Sequence, residues 1–405
     1  MFANMVYDGV TTGRDFIHNT RNGVEAQGEV ASALLDVGFD PNLSRPFIDD
    51  TGRKAIIVNT GRVKTNPKTG RREKQYQKMY REDLEKAGYD SSIVRNATLR
   101  KDTWIQMRAA SLREARKRLR AWADLADTNP LRIEDGMGTI TYEYESQNDP
   151  GEALVDMDMD TDGRNDAPQY KLRSIPLPVT FVKFSFSRRR LAASARRNGQ
   201  AVNLSMAEAA GRRVAEVLEQ TTIGTMTGTS LGPTSATDSR YTGNSTVYGY
   251  TNLPTKIAKT DMTTPTGSNP EAVKQDFIEM RELMYANNYF GPFFVYTSTG
   301  YDAFLDDDYF RAGSTSQSTT LRNRIMQIGG ITSIRRLDYL SSGYQAIMVD
   351  PDREFAEALI GSDIETIQYE TMGGGRVHFV TYIIAAPLLK TNYGGVARVV
   401  HGTTS

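Results

Sequence analysis

YKLRSIPLPVTFVKFSFSRRRLAASARRNGQAVNLSMAEAAGRRVAEVLEQTTIG, residues 170 to 224, decides the fold, because it reads as a strand running into a long helix. From Thr180 to Ser187 the residues alternate, with Val182, Phe184 and Phe186 on one face and Lys183, Ser185 and Ser187 on the other. That is the period of a half-buried strand. The helix starts at Ser205, a candidate N-cap whose capping-box partner Glu208 stands three residues on, a pair that satisfies two orphan backbone donors. Met206, Ala210, Val214, Val217 and Thr221 then recur at helical spacing, and Arg212, Arg213, Glu216 and Glu219 occupy the remaining arc.

Upstream of this stretch, Thr139 to Ser146 alternates strictly, Ile140, Tyr142 and Tyr144 against Thr141, Glu143 and Glu145, as in a two-faced strand. The connection from Gln147 to Gln169 is polar and acidic, so the two strands form a long hairpin with an acidic tip. A loop this long in a compact domain calls for a function of its own. Further upstream, a helix capped at Asp102 or Thr103 is expected to run through about Asp127. Its apolar positions are Ile105, Ala109, Leu112, Ala115, Leu119, Trp122 and Ala126, opposite Arg108, Arg113, Arg116, Lys117 and Arg120. A helix of low apolar content is expected from about Arg71 to Ala87, Thr60 to Thr69 reads as loop, and a short helix is expected over Glu29 to Val37.

Downstream, Gly224 to Pro265 is dense in Gly, Thr and Ser and offers little core. Asn269, Pro270 and Glu271 start a helix with proline at the first helical position and Val273, Phe277, Met280 and Met284 as its apolar stripe. Strands are expected at Pro292–Thr297, Ile331–Leu337 and Gln345–Val349, with short helices at Ser298–Leu305 and Thr320–Ile328, an α/β alternation. Asp363–Glu370 and Val377–Ala385 flank Gly373 to Gly375 as a hairpin, and Val396–Val400 closes the chain.

The 405 residues suffice for two or three domains and an ample core. Absence of cysteine excludes disulfides, thiolate nucleophiles, Cys-ligated zinc and iron–sulfur clusters, and fits synthesis in a reducing cytoplasm. No apolar run nears the roughly 20 residues of a bilayer span, and MFANMVYDGVTTGRDF lacks a signal-peptide layout; a soluble chain with no membrane partner is expected. The formal net charge is zero but segregated: residues 53–120 hold 20 Lys and Arg against 7 Asp and Glu, whereas residues 134–166 hold 11 acids and one base, Arg164. Such asymmetry suits solvated helix faces, subunits pairing basic with acidic surfaces, or a lining for nucleic acid.

Motifs for catalysis are scarce. Asp158, Asp160, Asp162 and Gly163 match the first half of an EF-hand loop, but Gln169 stands where the bidentate Glu belongs and strands flank it. An acidic, solvated loop tip is the favoured reading. His18, His378 and His401 are the only histidines, and His378 sits in an alternating strand beside aromatics, as a structural residue does. No nucleophile elbow, Walker loop, zincin motif or dinucleotide fingerprint is present. No catalytic, cofactor-binding or metal residue is assigned, no cofactor is expected, and the chain is read as a non-enzyme. A calcium-assisted hydrolase built on residues 158–162, and a nucleic-acid-binding module in residues 53–127, are the competing classes.

The Pro176–Val179 entry, the basic run Arg188–Arg190, the Ala-Ser-Ala-Arg-Arg-Asn-Gly turn and the Ala-rich helix together resemble the major capsid proteins of tailed phages of the Hong Kong 97 type and the related encapsulin shell proteins. VYGYTNLP, from Val247 to Pro254, resembles the turn after that family's spine helix. The resemblance covers roughly residue 95 to the end. It implies an α+β fold of this type: an N-terminal arm (1–130), an extended β-hairpin loop with its return strand (131–187), the spine helix of a discontinuous peripheral domain (188–227), an α/β axial domain (228–350) and return strands (351–405). By the same resemblance the function is assembly of an icosahedral phage capsid around packaged double-stranded DNA, the alternative being an encapsulin-type nanocompartment. The implied partners are many copies of itself in hexamers and pentamers and DNA contacted without sequence preference, with portal, scaffolding or cement proteins as further candidates. The implied location is the virion, after synthesis in the host bacterial cytoplasm.

Overall fold

A computed structural model gives the structure, describing residues 46–49, 51–65, 72–87, 101–147, 157–158, 170–189, 205–225, 247–266, 268–309, 319–340, 343–370, 375–391 and 395–404. The N-terminal part contains β1 (Phe47–Ile48), β2 (Lys54–Thr65), β3 (Arg72–Tyr80), α1 (Arg81–Lys86), α2 (Lys101–Arg116) and α3 (Ala121–Thr128). The middle contains β4 (Pro130–Arg132), β5 (Thr141–Gln147), β6 (Tyr170–Pro176), β7 (Val179–Ser187), α4 (Ser205–Ile223) and β8 (Ile257–Lys259). Then follow α5 (Pro270–Ala286), β9 (Phe293–Thr297), α6 (Thr299–Leu305), β10 (Asp308–Tyr309), β11 (Thr319–Thr320), α7 (Leu321–Met326), β12 (Ile331–Arg336), β13 (Gln345–Val349), β14 (Ala356–Glu370), β15 (Arg376–Leu389) and β16 (Val399–Thr403). The class is therefore α+β, as expected. Two compact units divide the chain, one of residues 1–118, 179–216 and 363–383, the other of residues 119–178, 217–362 and 384–405.

In the first unit, Phe47, Ile57, Trp104, Met107, Phe184, Ala207, Ala210, Val377 and Phe379 form one buried cluster. Phe184 stacks on Phe379 at 5.4 Å between centroids and Trp104 meets the same ring edge-on at 5.9 Å. The alternation expected of β7 puts Phe184 inside and leaves Lys183 exposed. The helix α2 crosses α4 where Ser111 Oγ donates to the Ala207 carbonyl at 2.8 Å. At the crossing a Cβ on Gly211 would lie 2.5 Å from the Ser111 carbonyl oxygen and 2.7 Å from its Cα, both backbone atoms that cannot swing aside.

Several expectations are corrected in this unit. Arg72–Tyr80 is a strand and only Arg81–Lys86 is helical, while Thr60–Thr65, read as loop, belongs to β2. Long helix-forming side chains fill β3, but its ladder with β2 overrides that propensity. The segment Glu29–Val37 lies outside the described residues. Leu112, Ala115, Leu119, Trp122 and Ala126 are buried as expected, whereas Ala109 is exposed and Trp104, Met107, Ala110 and Ser111 join the buried face of α2. On α4 Ala210, Val214 and Thr221 are buried as expected, while Met206 is exposed and Ala207 buried beside it.

In the second unit a five-stranded mixed sheet has the order β12-β9-β13-β16-β8. The expected stripe of α5, Val273, Phe277, Met280 and Met284, is fully buried against it, with Tyr301, Leu305 and Ile325 from α6 and α7. Contrary to the low-core reading of the segment after α4, Val247, Tyr250, Leu253 and Met262 are buried and β8 lies within it. The Val247–Pro254 turn does follow the helix: the Tyr250 and Thr251 N–H groups donate to the last carbonyls of α4, Thr222 and Ile223, at 3.0 and 2.8 Å. The strands β14 and β15 run well past the bounds expected from the sequence.

The single helix expected over residues 102–127 is two, because α3 starts afresh on a cap from far along the chain. Glu219, placed on the polar arc of α4 by periodicity, is 1% exposed. Its two carboxylate oxygens accept the Ala121 and Trp122 N–H groups at 2.8 and 3.1 Å. Burial pushes its pKa up from 4.5 to about 7, with the N–H bonds pulling the other way. Nearby Asp124, also raised by burial, accepts from the Tyr296 hydroxyl at 3.0 Å and from the Arg335 guanidinium.

Two outcomes follow from this packing. Gly211→Ala will lower the thermal midpoint, since forcing a methyl into backbone costs about 1–3 kcal/mol and outweighs the roughly 1 kcal/mol of helix propensity that alanine returns; a melt at or above the wild-type midpoint would refute the contact. A Glu219 pKa raised on folding makes stability full below pH 4.5 and erodes it as pH rises through about 7, by on the order of 3 kcal/mol. Glu219→Gln, whose NH2 cannot accept where either oxygen of the protonated carboxyl can, will be the less stable protein at pH 5, and its deficit in denaturant midpoint will shrink by pH 8 as wild-type Glu219 ionises. A deficit equal at both pH values would show that Glu219 does not titrate between them.

Candidate assembly surface

The strands β5 and β6 pair antiparallel in a two-stranded sheet, Tyr142 opposite Ile175, Tyr144 opposite Arg173 and Glu145 opposite Leu172. Each strand therefore keeps one edge unpaired among the described residues, and a two-stranded hairpin by itself is marginally stable in water. Its root is fixed within the second unit. Asp135 turns the chain, its Oδ1 accepting the Gly138 N–H at 3.0 Å and its carbonyl the Thr139 N–H and hydroxyl at 3.0 and 2.7 Å. Gly136 and Gly361 touch backbone to backbone: a Cβ on Gly136 would stand 2.2 Å from the Gly361 carbonyl oxygen. The Leu177 N–H donates to the Ile140 carbonyl at 2.8 Å, and Ile175 and Leu177 are buried.

The two faces of the hairpin differ. Tyr142, Tyr144 and Arg173 lie half-buried beside buried Ile175, and burial raises the Tyr144 phenol above its ordinary pKa while Arg173 opposes the shift. The other face presents Glu143, Glu145, Leu172, Ser174 and Tyr170 to solvent, and at the root Met137 and Ile140 are exposed too. Tyr170 and Leu172 are each 63% exposed and Met137 61%. Burying a side chain of this size stabilises by about 1.5–3 kcal/mol. Covering Met137, Ile140, Tyr170 and Leu172 on a neighbour is therefore worth several kcal/mol per copy. In the first unit β7 is the last strand of its sheet and exposes Val179 and Phe181, with the Lys183 ammonium over the Phe181 ring at 5.2 Å.

Of the cation motif, Asp158 is described and exposed, while Asp160 and Asp162 lie outside the described residues, as does most of the acidic connection. Among the described residues no three His, Asp or Glu side chains gather as metal ligands would. His18 lies outside them, and His378 is half-buried on β15. His401 on β16 has its Nε2 3.1 Å from Gln345 Oε1, and burial, with a smaller push from Lys256, lowers its pKa to about 4, so the ring is neutral at pH 7. The sequence reading missed Glu219, Asp124 and Asp49. Glu219 and Asp124 take their partners from distant segments, and Asp49 adds Lys78 and Tyr80 to its local donors Thr51 and Arg53, so no spacing rule marks them.

Comparison with solved structures yields matches to phage capsids and to a virus-like particle. The capsid of Myoviridae phage XM1 matches with a TM-score of 0.51 at 13% identity, over 69% of this chain and 92% of that chain. The virus-like particle from Pyrococcus furiosus matches with a TM-score of 0.47 at 17% identity, over 73% and 97%. Mycobacterium phage Cain matches with a TM-score of 0.45 at 12% identity, over 69% and 89%. The likeness to the XM1 protein shows the fold, which is that of a phage capsid protein, as residues 170–254 suggested. No curated protein matches the chain. A family profile, described as a family of unknown function (DUF6260), matches residues 94–402, and the chain belongs to that family.

Proposed function

We propose that this protein is the structural subunit of a closed, icosahedral phage capsid that encloses double-stranded DNA. The observation that carries the reading is the β5–β6 hairpin, a two-stranded element that leaves Met137, Ile140, Tyr170 and Leu172 in water on a chain with a capsid fold. An element with two open edges and an apolar face reaches a stable state when another copy covers it. Repetition of that contact around a symmetry axis closes a shell from many modest interfaces. The exposed face also carries Glu143 and Glu145, so the complementary surface on the neighbour is apolar with a basic rim. Arg113 on α2, Lys117 just past its end and Arg213 on α4 are exposed and supply such a rim, each now paired with a glutamate of its own chain.

Within this reading the first unit corresponds to the peripheral domain with its spine helix α4, and the five-stranded sheet of the second unit to the axial domain. Copies gather in hexamers and pentamers, and the mature location is the virion. Any portal, scaffolding or cement protein would meet the shell rather than the isolated subunit.

Purified wild-type protein will form megadalton particles by light scattering, visible as closed shells by electron microscopy. Ile140→Asp combined with Leu172→Asp will leave the melting curve close to wild type, because both positions face solvent in the free subunit, and will abolish particles. A wild-type protein that stays a monodisperse monomer at all concentrations would remove the shell reading; normal particles from the double variant would remove the role of the hairpin.

A further inference from the structure

The family match starts at residue 94, and the β2–β3 ribbon lies before it. The two strands carry Lys54, Arg62, Lys64, Arg72, Lys74 and Lys78 against one acid, Glu73. The base of the ribbon is built into a core. There β1 pairs with Lys54 and Ala55, and Ala55, Ile56 and Ile57 are buried.

Asp49 clamps the same end. Nearly buried, it accepts from the Thr51 N–H and hydroxyl at 3.0 and 2.6 Å, the Arg53 N–H at 2.9 Å, the Lys78 ammonium at 3.0 Å and the Tyr80 hydroxyl at 2.8 Å. Burial pushes its pKa up, but the bonds from Thr51, Lys78, Tyr80 and Arg53 together outweigh it and hold the carboxyl well below the ordinary range. Arg53 lies over the Tyr80 ring at 4.1 Å.

Beyond that base the β2–β3 ladder continues as far as Thr65 opposite Arg72. The register sets Lys74 opposite Val63 and Arg72 opposite Thr65, with Lys64 opposite Glu73. The distal positions, Val58–Thr65 and Arg72–Tyr76, include only Val58, Val63 and Tyr76 as apolar or aromatic residues. A protein–protein contact needs an apolar centre from which lysine is depleted, and the sequence of this ribbon is rich in cations and poor in apolar residues. Interfaces with nucleic acid are strongly positive, and a two-stranded antiparallel ribbon is narrow enough for the major groove of a duplex.

We propose that the β2–β3 ribbon binds the phosphate backbone of duplex nucleic acid without sequence preference. The binding follows from the ribbon alone. Only the identification of that duplex as the contents of a shell rests on the function proposed above.

The test uses the full-length chain, diluted below its assembly concentration, and a labelled mixed-sequence DNA duplex followed by anisotropy. Wild-type affinity will fall steeply between about 50 and 200 mM salt, as counterion release requires. The combination Arg62→Gln, Lys64→Gln, Arg72→Gln and Lys74→Gln will weaken binding about tenfold or more at the low-salt end and reduce the slope of log affinity against log salt by about 3. Exchanging lysine and arginine at the same four positions will retain affinity and slope. Should the glutamine combination fail to fold, Lys64→Gln and Lys74→Gln singly will each reduce the slope by about 1.

An unchanged affinity and slope in the folded variants would overturn the proposal. So would binding of a peptide spanning residues 147–169 that these variants lose while duplex binding persists, since the ribbon would then serve a second copy of the chain. Light scattering on the same samples separates the two readings. Normal particles from a variant that has lost duplex binding support both, whereas duplex binding in a wild-type protein that never assembles keeps the ribbon's role and removes the shell.

Discussion

A carboxylate without a cation beside it survives burial only if backbone donors replace its water, and Glu219 meets that condition by accepting the first N–H groups of α3. The contact fixes where α3 begins, and a line of bonds in the same unit then runs on to the hairpin. The helix ends at Asn129, whose Nδ2 donates to the Pro351 and Ala356 carbonyls at 2.6 and 2.9 Å and whose own carbonyl accepts the Ala358 N–H at 2.8 Å. Parallel pairing of β4 with Ala358–Ile360 follows, then the Ile133 N–H on the Ile360 carbonyl, then the close passage of Gly136 over Gly361. Each step leaves the next one residue or so of freedom. The two-stranded β5–β6 element thus starts from a fixed root, and among the described residues its outer face is exposed.

That arrangement matters because an exposed apolar surface is useful for recognition only when its position is fixed. A hairpin on a loose tether would lose the entropy of ordering on every contact, about 1–2 kcal/mol for each residue newly restrained. Here the chain from Glu219 to Leu177 has met that cost during folding. The acidic residues Glu143 and Glu145 on the same face then select among partners: a like-charged neighbour is repelled, a basic one attracted.

The legible part of the sequence was the part with local signals. Asn269-Pro270 and the spacing of Val273, Phe277, Met280 and Met284 located α5 because proline at the first turn and a 3.6-residue apolar period are properties of the segment itself. The alternation of Val182, Phe184 and Phe186 located β7 for the same reason. The first strand of the hairpin was likewise readable from the alternation of Thr139–Ser146, whereas the split of residues 170–187 into β6 and β7 in separate sheets was not. What failed was decided elsewhere in the chain. Arg116 to Arg120 contains no glycine or proline to announce a break, and the residue that starts α3 stands 98 positions away. REKQYQKMY is made largely of helix formers, and only the strand it pairs with, Lys54–Thr65, makes it a strand. On α2 and α4 the predicted stripes held at Leu112, Ala115, Ala210 and Val214 but missed Ser111 and Ala207, small residues that meet at the tight crossing by Gly211. Small residues there carry the contact, and hydrophobic periodicity weights them least.

The energetics of one hairpin also bear on why the shell reading involves many copies. Several kcal/mol of apolar burial at Met137, Ile140, Tyr170 and Leu172 is comparable to the 4–15 kcal/mol or more lost when two proteins give up independent motion. A lone pairwise contact of this kind is weak, leaving subunits free at low concentration. Once a subunit touches two or more neighbours at once, the second contact is intramolecular and its effective concentration replaces the bulk one. Closure then supplies the affinity that the contact lacks, and a face that is stable in neither water nor a dimer becomes stable in a ring. The same logic separates this surface from the basic ribbon, whose attraction to phosphate adds up along a polymer and needs no ring to be strong.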